Sequence, residues 1–251
     1  MPIARPKNSR NRQSGPWSYT RTLVWVLAAA IFAWLLLPDL GPNLLGLDLR
    51  HNSQAATSGE NTELMRQLNE LEVEGEQDAP RYVRSEFGEG WADLDGDGCS
   101  TRNEILSRDL QDITYRAGTG DCVVESGVLQ DPYTGQTIRF QRGADTSSLV
   151  QIDHVVALGN AWYAGAWKWD AEKRIEFAND PLNLLAVDGD ANYEKAAHTV
   201  DQWSPSNKDS HCEFAARQVA VKSRWDLSVT QAEFKALADI LDTCPQVLLN
   251  E

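Results

Sequence analysis

Two stretches decide the fold of this chain: residues 151–158, QIDHVVAL, and residues 180–196, DPLNLLAVDGDANYEKA. The first has the pattern of a strand that ends on the polar pair Asp153-His154. The second begins as a short strand, NLLAVD, and changes to a helical pattern after its glycine. Because neighbouring side chains of a strand point to opposite faces, both members of the pair reach one site only where the strand ends or bends. The helix would then deliver Asn192 to the same place.

These residue types suit the hydrolysis of a phosphodiester bond. His154 is a suitable general base near neutral pH. A hard divalent cation, Mg²⁺ or Mn²⁺, would neutralise charge on the phosphate and on the leaving oxygen. Such a cation prefers carboxylate and amide oxygens like those of Asp153 and Asn192. The spacing also permits a structural interpretation, in which Asn183 caps a turn or a strand end and Asn192 is an exposed residue in the first turn of a helix.

The segments around this core predict an α+β fold. A short helix, TRNEILSRDL, precedes the strands DITYRA and GVLQDPYTGQTIRFQRG, the second of which contains a turn at DPYTG. A tryptophan-rich helix follows the Asp-His pair, and two amphipathic helices are predicted over residues 208–226 and 230–242. We expect Trp162, Trp167 and Trp169 to belong to the core. Short strands followed by many helices are typical of the α+β class.

Residues 93–104, DLDGDGCSTRNE, have the spacing of an EF-hand calcium loop. Such a loop has oxygen ligands at positions 1, 3 and 5, a glycine at 6, a backbone carbonyl at 7 and a carboxylate at 12. These positions correspond to Asp93, Asp95, Asp97, Cys99 and Glu104. An Asx-rich turn that caps the next helix is an equally good interpretation, because the preceding residues are a poor entering helix and the chain has a single loop of this kind.

The four cysteines are Cys99, Cys122, Cys212 and Cys244. They form no CxxC pair, which argues against a structural zinc site. An even number of cysteines in an exported chain suggests two disulfides, for which three pairings are possible. We expect Cys99 to pair with Cys122 and Cys212 with Cys244, since each bond then closes a short segment.

The N-terminal region predicts export. Basic residues within 1–21 precede the uncharged run TLVWVLAAAIFAWLLL, residues 22–37. This arrangement favours an uncleaved transmembrane signal anchor with a cytoplasmic tail, and secretion after cleavage is the alternative. Residues 38–80 are predicted to form a linker and an amphipathic stalk helix, and residues 81–246 a nuclease domain. The membrane would be contacted through the anchor, and no protein partner is predicted.

Several motifs occur in an order that resembles one known family. GCSTRNEILSRDL, DPYTGQTI, VQIDHVVAL, FANDPLNLLAVDG, WSPSNK and CEFAARQVAVK lie between about residues 82 and 245. They are similar to motifs of the HNH endonucleases, and in particular of an exported bacterial group. The resemblance implies a ββα-metal core with small antiparallel strands packed among several helices. It also implies hydrolysis of nucleic acid, with DNA the expected substrate and products that carry a 5′-phosphate.

The resemblance assigns a role to each candidate residue. It makes Asp153 and Asn192 ligands of one divalent cation, His154 the general base, and Asn183 the brace of the loop. It places two basic residues near phosphate, Lys195 and Arg102. One departure follows Lys195: the family pattern often has glycine at the next position, whereas this chain has Ala196.

The net charge of −14 limits how the chain would bind nucleic acid. Broad, non-specific attraction to nucleic acid usually rests on a basic surface. An acidic nuclease must therefore use a local basic patch and a metal ion. The acidity favours a second hypothesis, a calcium-dependent extracellular binding or adhesion module with an inactive HNH-like shell.

Overall fold

The structure is a computed structural model that describes residues 63–75, 78–144 and 146–244. All of these belong to one of the two units of the chain, Ala56–Glu251. The predicted basic tail and signal anchor, residues 1–37, lie outside the described residues. No helix in the described ranges combines the length and the apolar character that crossing a bilayer requires.

A three-stranded antiparallel sheet follows the first long loop. Helix α2 (Thr101–Asp109) leads into strands β1 (Leu110–Tyr115), β2 (Val124–Gln130) and β3 (Thr137–Gln141), which lie in this order across the sheet. The hairpin predicted at DPYTG joins β2 to β3. Its first residue, Asp131, is buried and accepts hydrogen bonds from the backbone amide and the hydroxyl of Thr134.

A second, two-stranded sheet carries the decisive stretches. Strand β4 (Val150–His154) pairs antiparallel with β5 (Leu184–Asp188), and helix α5 (Gly189–Lys195) begins directly after β5. The side chain of Asp188 accepts from the backbone amide of Ala191 and thereby caps α5. A Cβ atom on Gly189 would lie 2.1 Å from the carbonyl oxygen of Ser148, so this junction requires glycine. The two strands and the helix form a β–β–α unit.

Aromatic side chains fill the space behind this unit. They belong to α3 (Leu158–Tyr163), α4 (Ala171–Ala178) and the segments around them. Trp162 is buried and donates from Nε1 to the carbonyl of Pro80 at 2.7 Å. Trp169 contacts the rings of Phe177 and Trp225. The tryptophans of this region therefore pack in the core, as predicted.

Helices α6 (His211–Arg224) and α7 (Gln231–Asp242) complete the fold together with α1, which is helical over residues 63–70. The leucines predicted to lie on a stalk, Leu64, Leu68 and Leu71, are buried in the same core as α6 and α7. The α1 helix therefore packs within the domain, whose boundary lies before residue 81. The prediction of a separate stalk is therefore wrong. The burial of apolar side chains is favourable, and a stalk in water would leave these leucines exposed.

Both expected disulfides are present. Cys99 bonds to Cys122, with the Cα atoms 5.0 Å apart, and joins the acidic loop to the segment before β2. Cys212 bonds to Cys244, with the Cα atoms 5.7 Å apart, and joins the start of α6 to the residues after α7. The architecture as a whole is α+β, as the sequence predicts.

Candidate active site

A cleft of about 950 Å³ brings most of the candidate residues together. The end of β4 supplies Asp153 and His154, and α5 supplies Asn192. Arg102 of α2 also lines the cleft. A further wall is formed by the segment that contains Tyr82, Arg84 and Trp91, to which sequence reasoning assigned no role.

His154 is held in one orientation and one protonation state. Its Nε2 atom lies 2.8 Å from the carbonyl oxygen of Ala178. Because a carbonyl only accepts, Nε2 carries the proton and Nδ1 keeps its lone pair. The ring of Trp91 stacks on the imidazole, with 5.6 Å between the centroids and 8° between the planes. Burial lowers the pKa of His154 to about 3, helped by the charges of Arg84 and Lys195 and opposed by the bond to Ala178. The imidazole is therefore neutral at physiological pH, and its Nδ1 lone pair is an acceptor.

Asn183 braces the chain directly after the Asp-His pair. Its side chain accepts from the amide of Val156 at 2.8 Å and donates to the carbonyl of Val156 at 3.2 Å. Its backbone carbonyl accepts from the amide of Val155 at 2.8 Å. The residue is 0% exposed and does not line the cleft. It therefore fixes the bend that lets β4 present two adjacent side chains.

Asp153 is buried and tied to two partners. One carboxylate oxygen accepts from Lys195 Nζ at 3.0 Å and the other from the hydroxyl of Tyr133 at 2.5 Å. Burial raises the pKa of Asp153, whereas the ammonium of Lys195 and the bond from Tyr133 oppose the rise. Each oxygen has a further lone pair, so the carboxylate can still bind a cation.

The position of Lys195 corrects one expectation. Its side chain is 0% exposed, and Nζ also donates to the carbonyl of His154 at 2.8 Å. A phosphate contact does not fit this placement, because the ammonium is enclosed beneath the cleft and already paired. Lys195 instead holds the end of β4 and the carboxylate of Asp153 in place.

Asn192 lies on the cleft and is oriented by a residue that sequence reasoning missed. Its Nδ2 atom donates to Oε1 of Gln151 at 2.9 Å, which leaves Oδ1 as a free acceptor. Gln151 is two residues before Asp153, so both point to the same face of β4. The cleft thus offers one carboxylate and amide oxygens, a donor set that fits a hard divalent cation that retains several waters.

Arg102 brings positive charge to the cleft from α2. Its Nη2 atom donates weakly to the carbonyl of Val150 at 3.5 Å, and Nη1 is buried without a partner among the described residues. Burial lowers the pKa of Arg102, and the nearby Arg142 adds to the effect. Because Arg102 lines the cleft and is only partly buried, its guanidinium brings positive charge to the place where an anion such as phosphate would bind.

A tight turn follows Lys195 at the edge of the cleft. The amide of His198 donates to the carbonyl of Lys195 at 2.9 Å, and Ala196 has φ +48° and ψ −123°. These angles are those of the first central residue of a type II′ turn, which strongly favours glycine. This is the position at which the family resemblance often has glycine. Ala196 is therefore strained, and the turn places His198 at the cleft.

Comparison with known proteins identifies the family. The model for the C-terminal domain of GmrSD restriction endonucleases matches residues 100–240 of this chain. The chain belongs to this family. An uncharacterized secreted protein of the fungus Arthroderma benhamiae is 38% identical over 173 residues, which cover 68% of this chain and 78% of that protein. No solved structure matches.

The match to the GmrSD C-terminal domain covers the β–β–α unit, Arg102, and helices α2 to α7. It begins within the acidic loop, after the three aspartates, and after the cleft wall that contains Tyr82, Arg84 and Trp91. In the described part of the chain, these residues add an aromatic and basic wall to the family domain. Trp91 is the one that touches the central histidine.

In the acidic loop the carboxylates of Asp93, Asp95 and Asp97 converge, with their oxygens within 4.8 Å of one another. Burial raises the pKa of Glu104, and the three aspartates raise it further, so the fourth carboxylate lies nearby. Backbone amides of the loop donate to these carboxylates, among them that of Gly98 to Asp93 at 2.9 Å. No side chain caps α2 at Ser100, so the loop forms Asx turns but does not cap the helix.

Two buried residues of the DPYTG turn were also missed by sequence reasoning. Tyr133 donates to Asp153, and Asp131 accepts from the amide of Asp188 at 2.9 Å, next to the start of α5. The turn was interpreted only as a hairpin connection. One signal was available: Asp131 and Tyr133 flank a proline in a motif that the family resemblance includes. Their partners, Asp188 and Asp153, lie far away in sequence and could not be inferred from it.

Proposed function

We propose that this protein is a metal-dependent endonuclease of the HNH type that hydrolyses phosphodiester bonds of nucleic acid, most directly DNA. The observation that carries the proposal is the orientation of His154, whose Nε2 is bound to the carbonyl of Ala178 so that Nδ1 keeps its lone pair. The β–β–α unit and the membership of a restriction endonuclease domain family support it.

In the proposed mechanism His154 takes the proton from the attacking water at Nδ1. The bond from Nε2–H to Ala178 and the stacking of Trp91 keep the ring in position, which lowers the entropy cost of reaching the transition state. Asn183 maintains the bend after the histidine. Arg102 binds a phosphate oxygen and stabilises the negative charge that develops on the transferring group.

A divalent cation, Mg²⁺ or Mn²⁺, would be held by Asp153 and Asn192. It would supply charge neutralisation at the scissile phosphate and the leaving 3′ oxygen, consistent with products that carry a 5′-phosphate. Lys195 and Tyr133 fix the carboxylate for this role, and Gln151 orients the amide of Asn192. The acidic binding module with an inactive shell is less well supported, since the histidine is held as a base requires.

The site of action would be outside the cytoplasm. Both cysteine pairs are bonded, which suits an oxidising compartment, and the Arthroderma benhamiae relative is described as secreted. We propose that residues 22–37 anchor the chain in the membrane. Secretion after cleavage is the alternative. We also propose that the acidic loop binds Ca²⁺, since the carboxylates of Asp93, Asp95 and Asp97 converge there and their charges raise the pKa of Glu104 in addition to its burial.

The test is nicking of supercoiled plasmid DNA by the full-length protein with Mg²⁺ or Mn²⁺. We expect His154→Ala to lower the rate by at least about 10²-fold, the contribution of a general base. His211→Ala is the matched control, because the ring of His211 also contacts a backbone carbonyl, that of Pro205 at 2.7 Å, but lies outside the cleft. Nicking that survives His154→Ala would refute the mechanism, and no nicking with either ion would refute the function.

A further inference from the structure

Tyr193 is an exposed aromatic residue at the cleft. Its side chain is 85% exposed, the largest value among the exposed large apolar residues in the described ranges. It follows Asn192 on α5, and both residues line the cleft. Exposing a tyrosine ring to this extent leaves its apolar faces in water, although a ligand could cover them.

The other aromatic residues of the cleft already have partners. Tyr82 packs edge-on against Trp162, with 6.3 Å between the centroids, and Trp91 stacks on His154. Tyr193 has no ring contact and no hydrogen bond within the described residues. It is therefore the cleft aromatic whose faces are available to a substrate.

The charges of the cleft limit the kind of nucleic acid that it can hold. Among its described lining residues, the cations that can reach a phosphate are Arg84 and Arg102, and Glu194 adds a negative charge beside Tyr193. Duplex DNA carries one charge per about 1.7 Å of axis, and its binding usually rests on many phosphate contacts. A chain with a net charge of −14 is poorly suited to that mode. An unpaired strand has exposed bases, and each base stacked on an aromatic ring adds affinity that requires no cation.

We propose that Tyr193 stacks on a base beside the scissile phosphate, and that the preferred substrate is single-stranded or locally unpaired nucleic acid. The proposal rests on the proposed nuclease function, because Asn192 marks the position of the reacting phosphate. Asn192 and Tyr193 both line this cleft, so the ring of Tyr193 lies along the path of a strand whose phosphate is bound there.

The experiment measures binding of fluorescently labelled oligonucleotides of one sequence as single-stranded DNA, single-stranded RNA and duplex DNA. The full-length protein carries His154→Ala, so that binding is read without cleavage. Tyr193→Ala should weaken the binding of both single strands by about 5- to 150-fold, the range for loss of one stacked base, and change duplex binding little. Tyr193→Phe should bind like the parent protein, because it retains the ring.

Two further variants separate stacking from general apolar contact. Tyr193→Leu retains apolar area without a flat face and should behave like Tyr193→Ala. Leu149→Ala removes an exposed apolar residue outside the cleft and should change nothing. In the active protein Tyr193→Ala should raise KM on single strands with kcat unchanged, as expected when uniform binding energy is lost.

The results separate this proposal from the proposed function. Hydrolysis by the active protein that is insensitive to Tyr193→Ala, or that prefers duplex, overturns the stacking and leaves the nuclease function standing. Binding that depends on Tyr193 in a protein without hydrolysis overturns the function alone. A loss confined to RNA would also overturn the stacking, since it would assign Tyr193 to the 2′-hydroxyl and not to the base.

Discussion

At the scale of single residues, the cleft depends on side chains that are buried beneath its surface. The pair of Lys195 and Asp153 is almost completely buried, and each partner also bonds to a neighbouring group. Burying two charges is unfavourable unless they are paired and further hydrogen-bonded, and both conditions are met here. The network therefore makes the end of β4 rigid.

Replacement of Lys195 by methionine should destabilise the protein. The carboxylate of Asp153 would remain buried without its cationic partner, which costs about 3–5 kcal/mol. Urea denaturation measures the free energy of unfolding. Lys235→Met is the control, because Lys235 pairs with Asp239 on the surface, where both side chains are largely exposed, and should change little. Unchanged stability of Lys195→Met would contradict the buried placement and would favour the phosphate contact that the sequence suggested.

Replacement of Ala196 by glycine should stabilise the protein. An L residue in this turn conformation is strained by about 1–2 kcal/mol, whereas glycine adopts it freely at a cost of about 0.5–1 kcal/mol in chain entropy. We expect a net gain of up to about 1.5 kcal/mol, seen as a rise in Tm of up to about 3–6 °C. Ala197→Gly is the neighbouring control and should lower Tm. A decrease for both variants would mean that the turn at Ala196 is not strained.

At the scale of elements, the site depends on how closely α5 approaches β4. Helix α5 carries Asn192 and Lys195, and β4 carries their partners Gln151 and Asp153. The contact between Gly189 and the backbone of Ser148 fixes the start of the helix relative to the start of β4. In the proposed mechanism, the spacing of these elements would determine whether a cation and a base can act on one phosphate.

Gly189→Ala should separate α5 from β4. The added Cβ would overlap the carbonyl oxygen of Ser148, which is backbone and cannot rotate away. Overpacking of this kind destabilises a protein by about 1–3 kcal/mol or more. Because α5 carries Asn192, we expect nuclease activity to fall even under conditions in which the variant remains folded. Gly75→Ala is the control, since its Cβ would meet nothing within 4 Å. Equal activities of the two variants on plasmid DNA would count against the role of α5.

At the scale of the whole molecule, a disulfide and hydrogen bonds hold the loop that precedes α2 against the family domain. The Cys99–Cys122 bond ties down the acidic loop, and Thr101 donates from its amide and its hydroxyl to the carbonyl of Ala92. Trp91, which stacks on His154, is adjacent to this anchor point. Order in the acidic loop is therefore connected to order in the cleft wall.

Calcium should stabilise the whole domain if the loop binds it. At a free concentration of 100 times Kd the gain would be about 2.7 kcal/mol, and Tm should rise by several degrees. Asp93→Asn should remove most of the rise, and Asp242→Asn, an exposed aspartate at the end of α7, should retain it. Equal melting temperatures in calcium and in a chelator would rule out a calcium site here.

The sequence by itself determined the elements and the central pair. The strand ending at Asp153-His154, the strand and helix of NLLAVDGDANYEK and the hairpin at DPYTG followed from local periodicity and turn chemistry. Of the three disulfide pairings that the sequence permits, the expected one is present. These signals are local because backbone hydrogen bonding and side-chain direction repeat over a few residues. The family match over residues 100–240 is consistent with those motifs.

Only the tertiary structure decided which side chains meet. Lys195 could be read as a surface lysine or a phosphate contact, but the packing of α5 on β4 buries it against Asp153. Tyr133, Trp91 and Ala178 lie between 20 and 63 residues from their partners at the end of β4. Nothing in a local pattern encodes such distant pairs. They arise because burial brings polar groups together and each must then find a partner.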